Sequence, residues 1–72
     1  MIMKYLIIIE NSGTGYSAYS PDLPGCVSTG STTEETEIYM REAIEFHIAG
    51  LREEGYEVPR PTCRSSYVEI AA

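Results

Sequence analysis

The chain has 72 residues, five of them basic and eleven acidic, and a formal charge of −6. That length holds one domain at most, and so small a domain hides only about 60% of the surface its unfolded chain exposes, so a disulfide, a metal or a partner chain is expected to make up the shortfall. The acidic balance repels phosphate backbones and argues against direct nucleic-acid binding, and it suits encounter with a basic partner.

Residues 3 to 10 read as a first strand, because Tyr5, Ile7 and Ile9 alternate with Leu6 and Ile8 in a run rich in β-branched and aromatic side chains. Both faces are apolar, which predicts a central strand covered on both sides. Asn11 to Gly15 is a glycine-punctuated turn. Its Gly-x-Gly lacks the lysine and the following helix of a phosphate loop, so it reads as a hairpin connection into a second strand, Tyr16 to Ser20. In that strand Tyr16 and Ala18 share one face and Tyr19 takes the other. Pro21 and Pro24 stop the strand, and Gly25 turns the chain into a short third strand, Cys26 to Thr29.

A helix start follows. Thr32 is placed as N-cap with Glu35 three residues on, a capping box, and Glu34, Glu35 and Glu37 sit where the helix dipole favours anions. The helix is expected to run to about Glu54, with Gly55 as its left-handed stop and Pro59 and Pro61 preventing a restart. At 100° per residue, Met40, Ala43, Ile44, His47, Ile48 and Leu51 form one stripe, the face expected to pack on the sheet. Ile38 and Phe46 project to the opposite side with Tyr39 on the shoulder, and such a cluster on so small a domain suggests a contact surface. Ser66 to Ile70 alternates again and reads as a last strand. The expected fold is therefore α+β over residues 1–72: a small single-layer antiparallel sheet with one helix packed on it, in the order β-β-β-α-β.

No residue pattern asks for catalysis. His47 is the only side chain with an ordinary pKa near neutrality, but it lies in the core-facing stripe and is expected to be a hydrogen-bonded structural histidine. Asp22 could couple with a helix carboxylate, yet no second layer exists to enclose the pair, and an Asx-type turn bond is the usual role of aspartate in such a loop. None of Ser17, Ser20, Ser28 or Ser31 has a base beside it by pattern. Cys26, Cys63 and His47 cannot complete a zinc site, so no cofactor or metal is expected. The two cysteines read as free thiols of a reducing compartment, with a disulfide between them left open by the sequence. The N-terminal apolar run is far shorter than a membrane span and no small-residue cleavage site follows, so a cytoplasmic protein is expected. Six tyrosines in 72 residues suit both strand propensity and interface use.

These residues also stand in an ordered set: Met3-Lys4-Tyr5; Tyr16-x-Ala18-x-x-Pro21-Asp22-Leu23-Pro24-Gly25-Cys26-Val27; Gly30-x-Thr32-x-Glu34-Glu35; Arg41-Glu42-Ala43-Ile44; and Val58-Pro59-x-Pro61. Over about residues 3 to 70 this set resembles the HicB family of toxin-antitoxin systems. The resemblance implies a β-β-β-α-β domain, similar to part of a double-stranded-RNA-binding fold, that assembles as dimers or tetramers. It also implies a task, the masking of the active site of HicA, a small basic RNA-cleaving toxin. Many HicB proteins carry a C-terminal operator-binding segment; this sequence stops at Ala72 and reads as a short form to which operator binding is not carried over. Thr36 stands where alanine is usual in the family, a change expected near the core edge. The alternative reading is a solitary oligomeric scaffold or binding protein without a toxin. The side chains expected at a partner or oligomer interface are Asp22, Leu23, Pro24, Ile38, Tyr39 and Phe46, with self-association through the second sheet face, a sheet edge or the helix flank.

Overall fold

The computed structural model describes residues 2–72. It holds three strands, β1 (Ile8–Asn11), β2 (Tyr16–Tyr19) and β3 (Val27–Gly30), and one helix, α1 (Thr33–Glu53). The strands form an antiparallel sheet in the order β1-β2-β3. Ile9 pairs with Ala18 and Ala18 with Ser28, so these three share the face that meets the helix; Ile8, Tyr19 and Val27 form the neighbouring row on the face turned away from it. β1 is thus an edge strand, and the central position belongs to β2. Apolar side chains on both faces of a strand report what covers the faces, not what lies beside the backbone.

The turns close as their residues require. The Asn11 side-chain oxygen accepts from the Gly13 amide at 2.8 Å, and the Ser12 amide donates to the Gly15 carbonyl at 2.9 Å. In the Pro21 to Gly25 loop the Leu23 amide donates to Ser20 and the Cys26 amide to Leu23, each at 3.1 Å. Gly25 has φ of 83°, a conformation that suits glycine. These bonds swing the Leu23 side chain inward, where it is 0% exposed.

The helix ends are both set by local chemistry. The Thr32 hydroxyl accepts from the Glu35 amide at 3.0 Å, and the Glu35 carboxylate accepts from the Ser31 amide at 3.1 Å, one residue before the cap. A cap of this kind contributes about 1 kcal/mol. At the other end the Tyr56 amide donates to Leu51 at 2.8 Å and the Gly55 amide to Arg52 at 3.1 Å, with Gly55 at φ 77°. That pair of bonds is the Schellman pattern.

The core is Ala18, Leu23, Cys26 and Met40, with Tyr5, Ile7, Ile9, Ala43 and Ile44 packed around it. The helix lies mostly over β3 and β2 and least over β1. Thr36, expected at the core edge, is fully buried: its hydroxyl donates to the Thr32 carbonyl at 2.7 Å, and its carbonyl accepts from Ser28 Oγ at 3.3 Å.

Two expected strands differ. Residues 2–7 carry no strand pairing although the first strand is expected from residue 3, because Pro21 cannot extend the ladder of β2 and the Ser20 hydroxyl, not a backbone amide, donates to the Leu6 carbonyl at 2.9 Å. Residues 66–70 form no strand at all, since no sheet edge of the same chain lies beside them; Tyr67 is fully exposed and Val68 and Ile70 are 78% and 77% exposed. Strand composition becomes a strand only where a ladder partner exists.

Candidate functional site

The helix exposes one apolar flank. Ile38, Glu42 and Phe46 follow one another at four-residue steps, so their side chains stack along about 12 Å of one face, with Tyr39 at its side. Phe46 is 83% exposed, while Ile38 and Tyr39 are roughly half exposed. Phe46 also borders a shallow depression of about 520 Å³ that it shares with Val27, Ala43, His47, Leu51 and Tyr56. Glu53 and Glu54 line the same depression, and Glu42 sits one turn before Phe46. The result is an aromatic side chain on an apolar shelf with an acidic rim.

His47 lies at this depression, half-buried, and its ring makes no hydrogen bond among the described residues. The hydrogen-bonded structural role expected of it is therefore not the one it has; the ring borders a concavity that solvent reaches. Val27 and Tyr56 were missed as neighbours of Phe46. The outward direction of Val27 follows from its pairing with Tyr19, and Tyr56 comes after the helix stop, where no periodicity places a side chain.

The Pro21 to Gly25 loop divides into three roles. Pro24 is exposed. Leu23, expected at an interface, is instead the centre of the chain's own core and presents no surface. Asp22 does not close an Asx turn in its own loop. It holds the segment that follows the helix, accepting from the Thr62 hydroxyl at 2.7 Å, the Thr62 amide at 3.1 Å, the Cys63 amide at 3.2 Å and the Cys63 thiol at 3.5 Å. A second tether lies nearby, where the Tyr5 hydroxyl donates to the Pro59 carbonyl.

The Thr62 hydroxyl, and after it the Cys63 and Thr62 amides, hold the Asp22 carboxyl below its ordinary value of 3.8, against a partial desolvation that acts the other way. The Cys63 thiol is pushed up, first by desolvation and then by the Asp22 carboxylate, and burial pushes Cys26 up. Both cysteines are free. A carboxylate with a depressed folded-state pKa contributes its tether fully above the unfolded value and loses it as pH falls through the folded one. The Asp22 tether is therefore expected to be intact at neutral pH and to release only below pH 3.8. Amide exchange checks this: Asp22→Ala should remove protection at Thr62 and Cys63 at pH 7 and leave the helix amides protected.

No group of three or more histidine, cysteine, aspartate or glutamate side chains converges among the described residues. None of the described helices is long and apolar enough to cross a membrane.

The chain is similar to known proteins along nearly all its length. Residues 5–70 match the family described as HicB_like antitoxin of bacterial toxin-antitoxin system. A 14.9 kDa protein from the rep-hol intergenic region of Haemophilus phage HP1 is 41% identical over 66 residues, 92% of this chain and 50% of the phage protein. A UPF0150 protein of Thermoplasma acidophilum is 39% identical over 81% of this chain and 86% of its own length. Antitoxin HicB 2 of Photorhabdus laumondii is 28% identical over 97% of this chain and 51% of its own. The chain thus spans about half the length of the phage protein and of the Photorhabdus antitoxin. Among solved structures, a chain of a HicA3 and HicB3 toxin-antitoxin complex superposes with a TM-score of 0.71 at 33% identity, covering 82% of this chain and 70% of that one. The ordered motifs, the sheet with its single helix and these matches agree, and the chain belongs to the HicB-like antitoxin family of bacterial toxin-antitoxin systems.

Proposed function

We propose that the chain is a non-catalytic, cytoplasmic antitoxin module that binds a small basic RNA-cleaving toxin of the HicA type and covers its active site. The observation that carries this reading is the exposed Phe46 on its apolar shelf, rimmed by Glu42, Glu53 and Glu54, on a chain of charge −6. An aromatic anchor in an acidic rim supplies both parts of a good interface with a cationic enzyme, a buried hot spot and a field that speeds encounter. Ile38 and Tyr39 extend the same flank. The family match and the likeness to a chain of a toxin-antitoxin complex support the same assignment. Self-association is part of the proposal, through surfaces other than this flank.

The test is titration calorimetry with the product of the adjacent gene, scored beside growth rescue on co-expression. Phe46→Asp is expected to weaken binding by about 30-fold or more, the size of a hot-spot loss of about 2 kcal/mol. Its helical circular dichroism should be unchanged, because the side chain is outside the core. Unaltered toxin affinity in that variant would remove the flank from the interface, and no binding by the wild type would remove the function.

A further inference from the structure

We propose that the C-terminal segment Ser66–Ile70 docks on a second copy of this chain, laid as an added strand beside residues 3–7 of that copy, each copy giving one such segment and receiving one. Two stretches with strand composition are left without a ladder, and they are complementary. The donor is the segment with Tyr67, Val68 and Ile70 in solvent. The acceptor is the run from Met3 to Ile7, which continues β1 at the free edge of the sheet and carries no strand pairing.

Beside the acceptor lies a cleft of about 760 Å³ between residues 2–7 and α1. Ile7, Ile44 and Ile48 give it an apolar floor for alternate side chains of an incoming strand, and Lys4, Arg41 and Arg52 line it together with Glu37 and Glu45. Those three cations are the majority of the five basic residues of an otherwise acidic chain. The only charged side chain in Ser66–Ile70 is Glu69. The segment thus brings apolar side chains to an apolar floor, and a single carboxylate to a wall where three cations outnumber two carboxylates.

The path of the chain selects the second copy as the occupant. After the helix the segment is pinned at Pro59 by Tyr5 and at Thr62 and Cys63 by Asp22, which leads it from the first strand toward the loop beyond β2. Beyond Cys63 no hydrogen bond to the body is present among the described residues. The radius of gyration, 13.9 Å, exceeds the roughly 11 Å of a compact chain of this length, and the long axis reaches 49 Å. An extended, tethered segment and a matching unfilled cleft on one molecule make an isologous exchange, in which one two-fold operation fills both clefts.

The experiment uses the full chain at micromolar concentration. Light scattering should return twice the chain mass for wild type, and Val68→Asp with Ile70→Asp should raise the dimer dissociation constant at least 10-fold with unchanged helical circular dichroism. Phe46→Asp should remain dimeric, which separates this surface from the toxin-binding flank. On a Cys63→Ser background, mixing tagged Ile7→Cys chains with untagged Val68→Cys chains should give the mixed disulfide dimer under mild oxidation. A monomeric wild type, a dimer indifferent to the paired aspartates, or no mixed disulfide between the tagged and untagged chains would each overturn the exchange.

Discussion

Leu23→Ala should lower the stability of the chain by about 2–5 kcal/mol, the usual cost of emptying a buried leucine site. A domain of this length has roughly 4–11 kcal/mol in total, so the variant is expected to lose a large share of its stability. The expectation rests on where the loop puts the side chain. The amide of Leu23 is held by Ser20, its carbonyl accepts from Cys26, and its isobutyl group is 0% exposed among Ala18, Cys26 and Met40. Those neighbours belong to β2, to the residue just before β3 and to the helix. A void left there loses packing against all three elements at once, and the loop's backbone bonds limit how far it can collapse inward. Urea unfolding followed by circular dichroism at fixed protein concentration measures it, concentration being fixed because self-association would add its own stabilisation. A Tm lowered by about 10 °C or more is expected for a domain this small. A loss below about 1 kcal/mol would mean that the leucine does not anchor the core. The same result separates two readings of the Pro-Asp-Leu-Pro-Gly motif: a contact loop tolerates alanine at Leu23 and loses only a partner, whereas a core-closing loop loses the fold.

The parts of this fold that were legible in the sequence are those decided by near neighbours. Thr32 and Glu35 cap the helix, Gly55 stops it, and the 100° stripe with Met40 and Ile44 faces the sheet, because these features depend on residues within one or two turns. Phe46 and Ile38 were legible as exposed for the same reason. The strands were legible in number for the hairpin and third strand but not in extent, because pairing is a property of two segments. Residues 3–7 and 66–70 have the composition of strands, and each lacks a ladder partner in its own chain. The burial of Leu23 is not legible, because a loop has no periodicity from which an inward direction can be read. The partners of Asp22 are not legible either, since Thr62 and Cys63 lie about forty residues away in sequence and a local turn bond is what its loop suggests. The surroundings of Phe46 are half legible: Glu42 follows from helical spacing, whereas Val27 and Tyr56 reach the apolar shelf only through the pairing of β3 and the turn after the helix.

Gly30→Ala should destabilise the chain by about 1–3 kcal/mol, the range for forcing a methyl group into a filled site. Gly30 ends β3 opposite Tyr16, and three residues later the helix begins. A Cβ at Gly30 would lie 2.6 Å from Thr36 Oγ1, 2.9 Å from the Thr36 nitrogen and 3.1 Å from its Cα. The hydroxyl could rotate away only by giving up its 2.7 Å bond to the Thr32 carbonyl at the helix entry. The backbone atoms cannot rotate away, so the first helical turn would have to lift from the sheet. Lifting it would loosen the packing of Met40, one turn further on, against Ala18 and Leu23. The strand side is equally closed, because a Cβ at Gly15 would lie 2.6 Å from the Gly30 carbonyl oxygen. The Gly30→Ala and Thr36→Ala pair then forms a double-mutant cycle that apportions the clash. Thr36→Ala removes the hydroxyl and leaves the nitrogen and Cα where they are, so it should recover less than half of the loss in urea unfolding. Full recovery would locate the conflict in the side chain alone and show that strand and helix backbones are not in contact at this junction. Little loss in the single Gly30→Ala variant would show that the helix start is free to move, and the strand-to-helix turn would then owe its conformation to the Thr32 cap rather than to close packing of two backbones.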